Sequence, residues 1–210
     1  MRVLVACEFS GIVRDAFANR GHDAWSCDLL PTESEQTRAE GKHIQGDVLS
    51  VLNDGWDLMI AHPPCTYLSN AGAYRLYPKK GQLNMERYAK GIEAKRFFLA
   101  LLNAPIPRVA VENPVSSGVF RMPQWTQEIQ PYMFGHPVSK KTRLWLKGLP
   151  LLLPTNVVER TGPYCPAGTG RKDRATYGAA KRGQNEKARS ITFPGIAAAM
   201  AEQWGTGSGG

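Results

Sequence analysis

The sequence predicts an α/β fold, a mostly parallel sheet with helices on both faces. Two observations predict it. Short runs rich in Val, Ile and Leu alternate with segments of helical periodicity through the first half of the chain. The alternation of strand and helix along the chain is the pattern of a parallel sheet wound on both sides. At 210 residues, 42% apolar and 21% charged, the chain fits one medium domain with a sizeable core.

Each element has its own justification. Residues 2–7 read as a buried strand. Residues 12–20 have helical spacing, with Ile12, Val13, Ala16 and Phe17 on one face and Gly21 as the stop. Strands are predicted over 23–29, 43–48 and 56–61, and a fifth over 108–112. The longest helix is predicted over 86–102, with Tyr88, Ile92, Leu99 and Leu102 at helical spacing. Residues 129–134 and 142–147 predict an antiparallel pair, with Pro131 placing the first at an edge. A last helix is predicted over 194–204, with proline at its start. The chain then divides into a core at 1–156, a basic segment at 157–190, a C-terminal helix at 191–205 packed on the core, and a tail at 206–210 expected to be disordered.

Composition narrows the function classes. No apolar run approaches the ~20 residues needed to span a bilayer, so no membrane partner is expected. The apolar start of the chain is interrupted by Glu8 and Arg14, which argues for a strand rather than a secretory leader and for a cytoplasmic protein. The net charge of +8 favours an anionic partner. Part of the excess lies in 157–190, where Arg160, Arg171, Lys172, Arg174, Lys181, Arg182, Lys187 and Arg189 face Glu159, Asp173 and Glu186. That segment reads as a solvated loop or a phosphate-contacting surface. The four cysteines, Cys7, Cys27, Cys65 and Cys165, are widely spaced, and neither a CxxC nor a zinc-finger histidine spacing occurs, so no metal site is expected. Cys7 and Cys27 lie in apolar runs. Cys65 differs, because polar and turn-forming residues follow it.

Ligands of a parallel α/β sheet collect at the carboxyl ends of its strands, and every predicted strand end carries polar residues. The first ends in Cys7-Glu8-Phe9-Ser10-Gly11, the second near Asp28, the third near Asp47, the fourth in His62-Pro63-Pro64-Cys65 and the fifth in Glu112-Asn113-Pro114. Gly11 can let a ligand approach the backbone. Asp28 can accept both hydroxyls of a ribose, and Asp47 can accept from an adenine amino group. The plainer alternative for each Asp is a helix cap or a turn. G-x-G-x-x-G and the P-loop motif are both absent, so the site suits an adenosine ligand without a pyrophosphate, and S-adenosylmethionine fits. A cysteine thiol of pKa ~8.5 is only a few per cent thiolate near neutrality. Glu112 becomes a proton donor if burial lifts its pKa, and Arg143 can hold a carbonyl or a phosphate.

In order, Phe9-Ser10-Gly11, Asp28, Asp47, Pro64-Cys65, Glu112-Asn113 and the basic strand with Lys141-Thr142-Arg143 resemble the motifs of the DNA cytosine-5 methyltransferases, in particular short phage-type members. The resemblance implies a Rossmann-like methyltransferase fold, S-adenosylmethionine as cofactor and DNA as partner, in the host cytoplasm if the protein is phage-encoded. Cys65, Glu112, Asn113 and Arg143 are then the catalytic residues, and Glu8, Phe9, Ser10, Gly11, Asp28, Asp47 and Pro63 bind the cofactor. Tyr67, Arg75, Lys140, Lys141, Arg171, Lys172, Arg174, Lys181 and Arg182 contact nucleic acid, with 157–190 as a reduced target-recognition segment. Cys65 adds to C6 of a flipped-out cytosine, Glu112 serves N3, Arg143 binds the carbonyl oxygen, and the loop at 66–80 closes over the base. The chain departs from the family pattern in having one glycine in its first turn, Pro114 after Glu112-Asn113, and Thr66 after Cys65. Two other readings stand beside this one: an amino-group (N4/N6) DNA methyltransferase, for which His62-Pro63-Pro64-Cys65 is a distorted motif, and a non-catalytic nucleic-acid-binding protein. RNA or a free cytosine nucleotide is the alternative substrate.

Overall fold

The computed structural model describes residues 1–163 and 191–206. Five parallel strands form first: β1 (Arg2–Ala6), β2 (Asp23–Asp28), β3 (His43–Gln45), β4 (Leu58–Ala61) and β5 (Arg108–Pro114). β6 (Gln127–Ile129) and β8 (Thr142–Lys147) extend the sheet with antiparallel pairings. The order across the seven strands is β3-β2-β1-β4-β5-β8-β6. This is a Rossmann-like α/β fold. The chain runs outward from β1 to β3, returns to β4 beside β1, and continues the other way, so the topological switch lies between β1 and β4. Two short strands, β7 (Val138–Ser139) and β9 (Gly162–Pro163), pair separately.

Alternation along the central strands builds two cores. Val3, Val5, Leu58, Ile60, Ala110 and Leu144 face α1 (Ile12–Ala18) and the C-terminal helix (Pro194–Trp204). Leu4, Ala6, Met59, Ala61, Val109, Val111 and Trp145 face the long helix (Met85–Leu102). Because neighbouring residues of a strand point to opposite faces, both layers need apolar residues at every position of β1 and β4. These strands are accordingly buried from Val3 to Ala6 and from Leu58 to Ala61.

Among the described residues the remaining α-helices are, in chain order, α2 (Glu35–Ala39), α3 (Met85–Leu102) and α4 (Pro194–Trp204). Buried Ile196, Met200 and Trp204 hold α4 against the sheet, each worth about 1.5–3 kcal/mol of apolar burial. The fully buried line of α3 is Gly91, Phe98 and Leu101, while Tyr88, Ile92, Leu99 and Leu102 flank it half-buried. The expected apolar face is therefore centred about one position away from its true axis, because Gly91 makes room for the ring of Phe120.

Other departures have local causes. The strand predicted over 129–134 ends at Ile129, and Pro131 opens a 3₁₀ turn to Met133 instead. The 56–61 strand begins at Leu58, since Trp56 turns its indole N–H to the Val51 carbonyl. The first helix stops at Ala18, before the expected Arg20. α2 has no apolar periodicity. It is held by its Ser34 cap and by Arg14, whose buried guanidinium donates to the Ala24 carbonyl, Asp15 and Glu40.

Gly11 caps α1 with φ 76°. A Cβ there would lie 2.3 Å from Cβ of Ser34. Gly11 is thus required by the approach of Ser34, the cap of α2. Gly11→Ala is expected to destabilise the fold by about 2–4 kcal/mol, from left-handed strain and overpacking together. Urea unfolding would read this as a lowered midpoint at unchanged slope.

Candidate active site

The carboxyl ends of β1, β2 and β3 converge. Cys7 takes a left-handed φ of 58° and its N–H donates to the Cys27 carbonyl at 2.7 Å. Burial pushes the Cys7 thiol up to about 12, and the charges of Asp28, Cys27 and Asp47 add to it. Burial likewise raises Cys27 to about 11, with Asp28 and Asp47 contributing. Both thiols are therefore protonated at neutral pH. The Gly46 N–H donates to the Asp28 carbonyl at 2.9 Å, so the two aspartates, predicted from separate strand ends, share one corner.

Each aspartate also does the plainer job. Asp28 accepts the Leu30 N–H at 2.9 Å and Asp47 caps the turn at Leu49 at 3.0 Å, each through one oxygen. Leu29, Leu30 and Leu49 beside them are exposed apolar side chains, at 72%, 54% and 41%. Three leucines open to solvent next to two carboxylates make an apolar ledge edged with acceptors. Sequence reasoning missed these leucines, which lie one or two residues after each strand-end Asp.

Glu8 is spent inside the protein. Its two oxygens accept the Val13 and Arg14 N–H groups at 2.8 and 3.1 Å, so it closes the start of α1. Burial drives its pKa up, against the pull of His62 and of these amides. Phe9 and Ser10 complete the turn, with the Phe9 carbonyl accepting from Glu33 and Ser10 within reach of Glu8.

The ends of β4 and β5 are laced together. Asn113, 1% exposed, donates to the Pro63 carbonyl at 3.1 Å. The Asn70 N–H donates to Val115 and the Ser117 N–H to Leu68. Thus the backbone on both sides of Cys65 is tied to the Glu112-Asn113-Pro114 segment. Cys65 is half-buried, and its carbonyl holds a turn through Leu68 and Ser69. The 66–80 segment is itself folded. A 3₁₀ helix runs over Asn70–Arg75, Leu68 and Leu76 are buried, and Arg87 reaches back to the Thr66 carbonyl. Tyr67 lies under Arg87 at 5.0 Å, and exposed Arg75 pairs with Tyr74.

On the α4 face, His62 Nδ1 and Glu112 Oε2 are 2.9 Å apart. Burial alone would raise the Glu112 pKa. The His62 hydrogen bond, with the charges of Lys140 and His62, outweighs it and holds the carboxyl below the ordinary glutamate range. The condition under which Glu112 was expected to be a ready proton donor is therefore not met in this state: Glu112 is a carboxylate, and Nδ1–H must donate to it. Glu112 lines a pocket with Lys140, Thr142, Thr192, Phe193, Ile196 and Met200. The end of α4 is seated there by the Gly195 N–H, which donates to His136 Nε2 at 3.0 Å. A Cβ on Gly195 would lie 2.0 Å from the Phe134 carbonyl oxygen.

Arg143 does not join Glu112. It pairs with Asn113 in the ladder and shares the α3 face with Trp145, its guanidinium over Trp125 at 5.1 Å and near Glu128 at 3.7 Å. Lys140, expected to contact nucleic acid, lines the pocket beside Glu112. Lys141 is exposed near Glu128. Arg171, Lys172, Arg174, Lys181, Arg182 and Cys165 lie outside the described residues.

No family model matches the chain, and no curated protein matches it. Solved structures similar to it include a protein assigned as a DNA modification methyltransferase, encoded within a prophage of Escherichia coli. Its TM-score is 0.45 at 16% identity, over 76% of this chain and 52% of that one. The methyltransferase EhMeth of Entamoeba histolytica matches with a TM-score of 0.46 at 13% identity, over 75% and 57%. The chain spans little more than half the length of each.

Glu112→Gln keeps an acceptor for the His62 Nδ1–H but loses the buried negative charge, and is expected to cost about 1–3 kcal/mol at neutral pH. A lowered carboxylate pKa adds stability that is present above the unfolded pKa and lost as pH falls through the folded one. The gap between wild type and variant in urea unfolding should therefore narrow as pH falls below the ordinary glutamate range.

Proposed function

We propose that the chain is an S-adenosylmethionine-dependent DNA methyltransferase acting at cytosine C5 through Cys65. The observation that carries this reading is the lacing of the Pro63-Pro64-Cys65 segment to Glu112-Asn113-Pro114 across β4 and β5. It gives a thiol and a carboxylate a common rim at the carboxyl edge of the sheet, beside the switch point where ligands bind.

The residues at the neighbouring corner fit the cofactor. Asp28 and Asp47 each keep one oxygen outside their turn hydrogen bonds. Leu29, Leu30 and Leu49 offer apolar surface for a purine ring, and nothing there is built for a pyrophosphate. S-adenosylmethionine, when bound, supplies an electrophilic methyl group.

The chain's own residues supply the rest. Cys65 Sγ, as thiolate, bonds to C6 of the cytosine ring, and the electron pair displaced from the C5=C6 bond is drawn toward N3. Glu112 faces the N3 and amino edge of the ring. As a carboxylate it accepts from the exocyclic amino group, and once protonated it donates to N3. Asn113 holds the loop that presents Cys65. Lys140 and Thr142, rather than Arg143, are the polar groups on the Glu112 side, and Lys140 is the cation available to the carbonyl oxygen. Tyr67 under Arg87 and Tyr74 under Arg75 present stacked aromatic and cationic surface to a nucleic acid.

Incubation with labelled S-adenosylmethionine and duplex DNA, followed by nucleoside analysis, should yield 5-methylcytosine. Cys65→Ser should lose it by at least about a thousandfold, since loss of an activated nucleophile removes the covalent route. Retained methylation in that variant, or label on an amino nitrogen, would assign the chain to the amino-group class instead. Asn113→Ala should lower turnover about tenfold to a hundredfold, as loss of orientation does, with cofactor affinity in equilibrium titration unchanged.

A further inference from the structure

The His62–Glu112 pair has a feature that the reaction outlined above does not use. His62 is 8% exposed at its side chain, one ring nitrogen is engaged with Glu112, and the other, Nε2, is buried with no hydrogen-bond partner among the described residues. Ionisable groups from three elements act on the pair. Glu112 comes from β5 and Glu8 from the turn after β1, close enough for its charge to couple to that of His62. Lys140, just before β8, acts on the same Glu112 carboxyl. His62 Nδ1 and Glu112 Oε2 lie close enough for a proton to pass between them without solvent. A buried Nε2 without a partner is satisfied in neither tautomer, so no hydrogen bond among the described residues fixes the tautomer from that side.

We propose, resting on the reading of the site given above, that His62 is a positioning residue that anchors Glu112 through Oε2 and carries the proton Glu112 needs to meet the cytosine ring. Glu112 is a carboxylate in this state and cannot donate to N3 until it gains a proton. In its imidazolium form His62 carries one on Nδ1, 2.9 Å from Oε2. Transfer leaves neutral imidazole with Nε2–H and a neutral Glu112 carboxyl group. As the Sγ–C6 bond forms, Glu112 gives the proton to N3 and returns to carboxylate. When the Sγ–C6 bond breaks and C5=C6 reforms, N3 returns the proton to Glu112, which passes it back to His62. The anchoring and the transfer are one hydrogen bond used twice.

The test has two arms on the full chain. In the first, 5-methylcytosine formation is followed against pH for wild type, His62→Asn and His62→Ala. Asn keeps an N–H donor near the place of Nδ1 but does not titrate. His62→Asn is expected to lower turnover about a hundredfold, the low end of general-acid effects, and to lose the alkaline limb of the wild-type profile. His62→Ala is expected to lose more, through loss of the anchor as well. A His62→Asn profile that overlays wild type in shape would overturn the proposal while leaving the methylation reading intact. In the second arm, ¹⁵N NMR of the histidine-labelled protein without substrate is expected to show His62 protonated at Nδ1, with its resonances displaced in Glu112→Gln. A bare Nδ1 in the wild type would overturn the proposal whatever the activity. If wild type forms no 5-methylcytosine, the methylation reading fails, and the proton-carrying role fails with it.

Discussion

The tie between the ends of β4 and β5 is the constraint on which the site depends. Parallel strands bring their carboxyl ends to one edge, but adjacency does not orient the loops that leave them. Here one buried side chain does so. Asn113 reaches across to the Pro63 carbonyl, and Pro63-Pro64 leaves the backbone little freedom before Cys65. The next residues are then zipped to the segment after Pro114 by Asn70 and Ser117. Without this tie Cys65 would sit on a surface loop. With it, Cys65 is held to the same strand end as Glu112.

Burial makes the electrostatics of this edge unequal. Glu8 and Glu112 are both enclosed, and burial pushes the pKa of each up. Glu8 has backbone amides, a hydroxyl and the charge of His62 to offset burial, and burial still prevails. Glu112 has His62 in direct hydrogen bond and Lys140 nearby, and for it the balance reverses. Two carboxylates in one cluster are thus driven to opposite protonation preferences, a division of roles that acid–base sites rely on. The thiols divide as well. Cys7 and Cys27 are kept protonated by burial among aspartates, while Cys65 lies apart on the half-buried rim.

Much of this was legible in the residues, and the misses share a cause. Strand identity and the clustering of Gly11, Asp28, Asp47, Cys65 and Glu112 at one edge follow from periodicity and from the polar residue that ends each run. What period alone does not settle is which face a residue takes. Arg143 is one residue from Thr142, and that single step puts it on the α3 face, away from Glu112. Residue type did not show why Gly11 is glycine, since Ser34 of a helix without apolar periodicity takes the space. Nor did it show that a histidine would bind Glu112, because the pair joins positions 62 and 112 across two strands. The sign of the Glu112 shift followed from that pair and was equally hidden. Most of the predicted phosphate-binding cations lie outside the described residues, so that surface stands as it was read from charge.

The central claim is that Cys65 forms a covalent bond to C6 of cytosine at the strand edge it shares with Glu112. It is tested most directly with duplex DNA carrying 5-fluorocytosine and S-adenosylmethionine, followed by intact-mass analysis of the protein. Fluorine at C5 cannot leave as a proton does, so the adduct cannot resolve. The account predicts a wild-type species heavier by the methylated oligonucleotide strand, mapped to Cys65 and absent from Cys65→Ser. Unmodified protein under conditions where the same enzyme methylates ordinary DNA would contradict it.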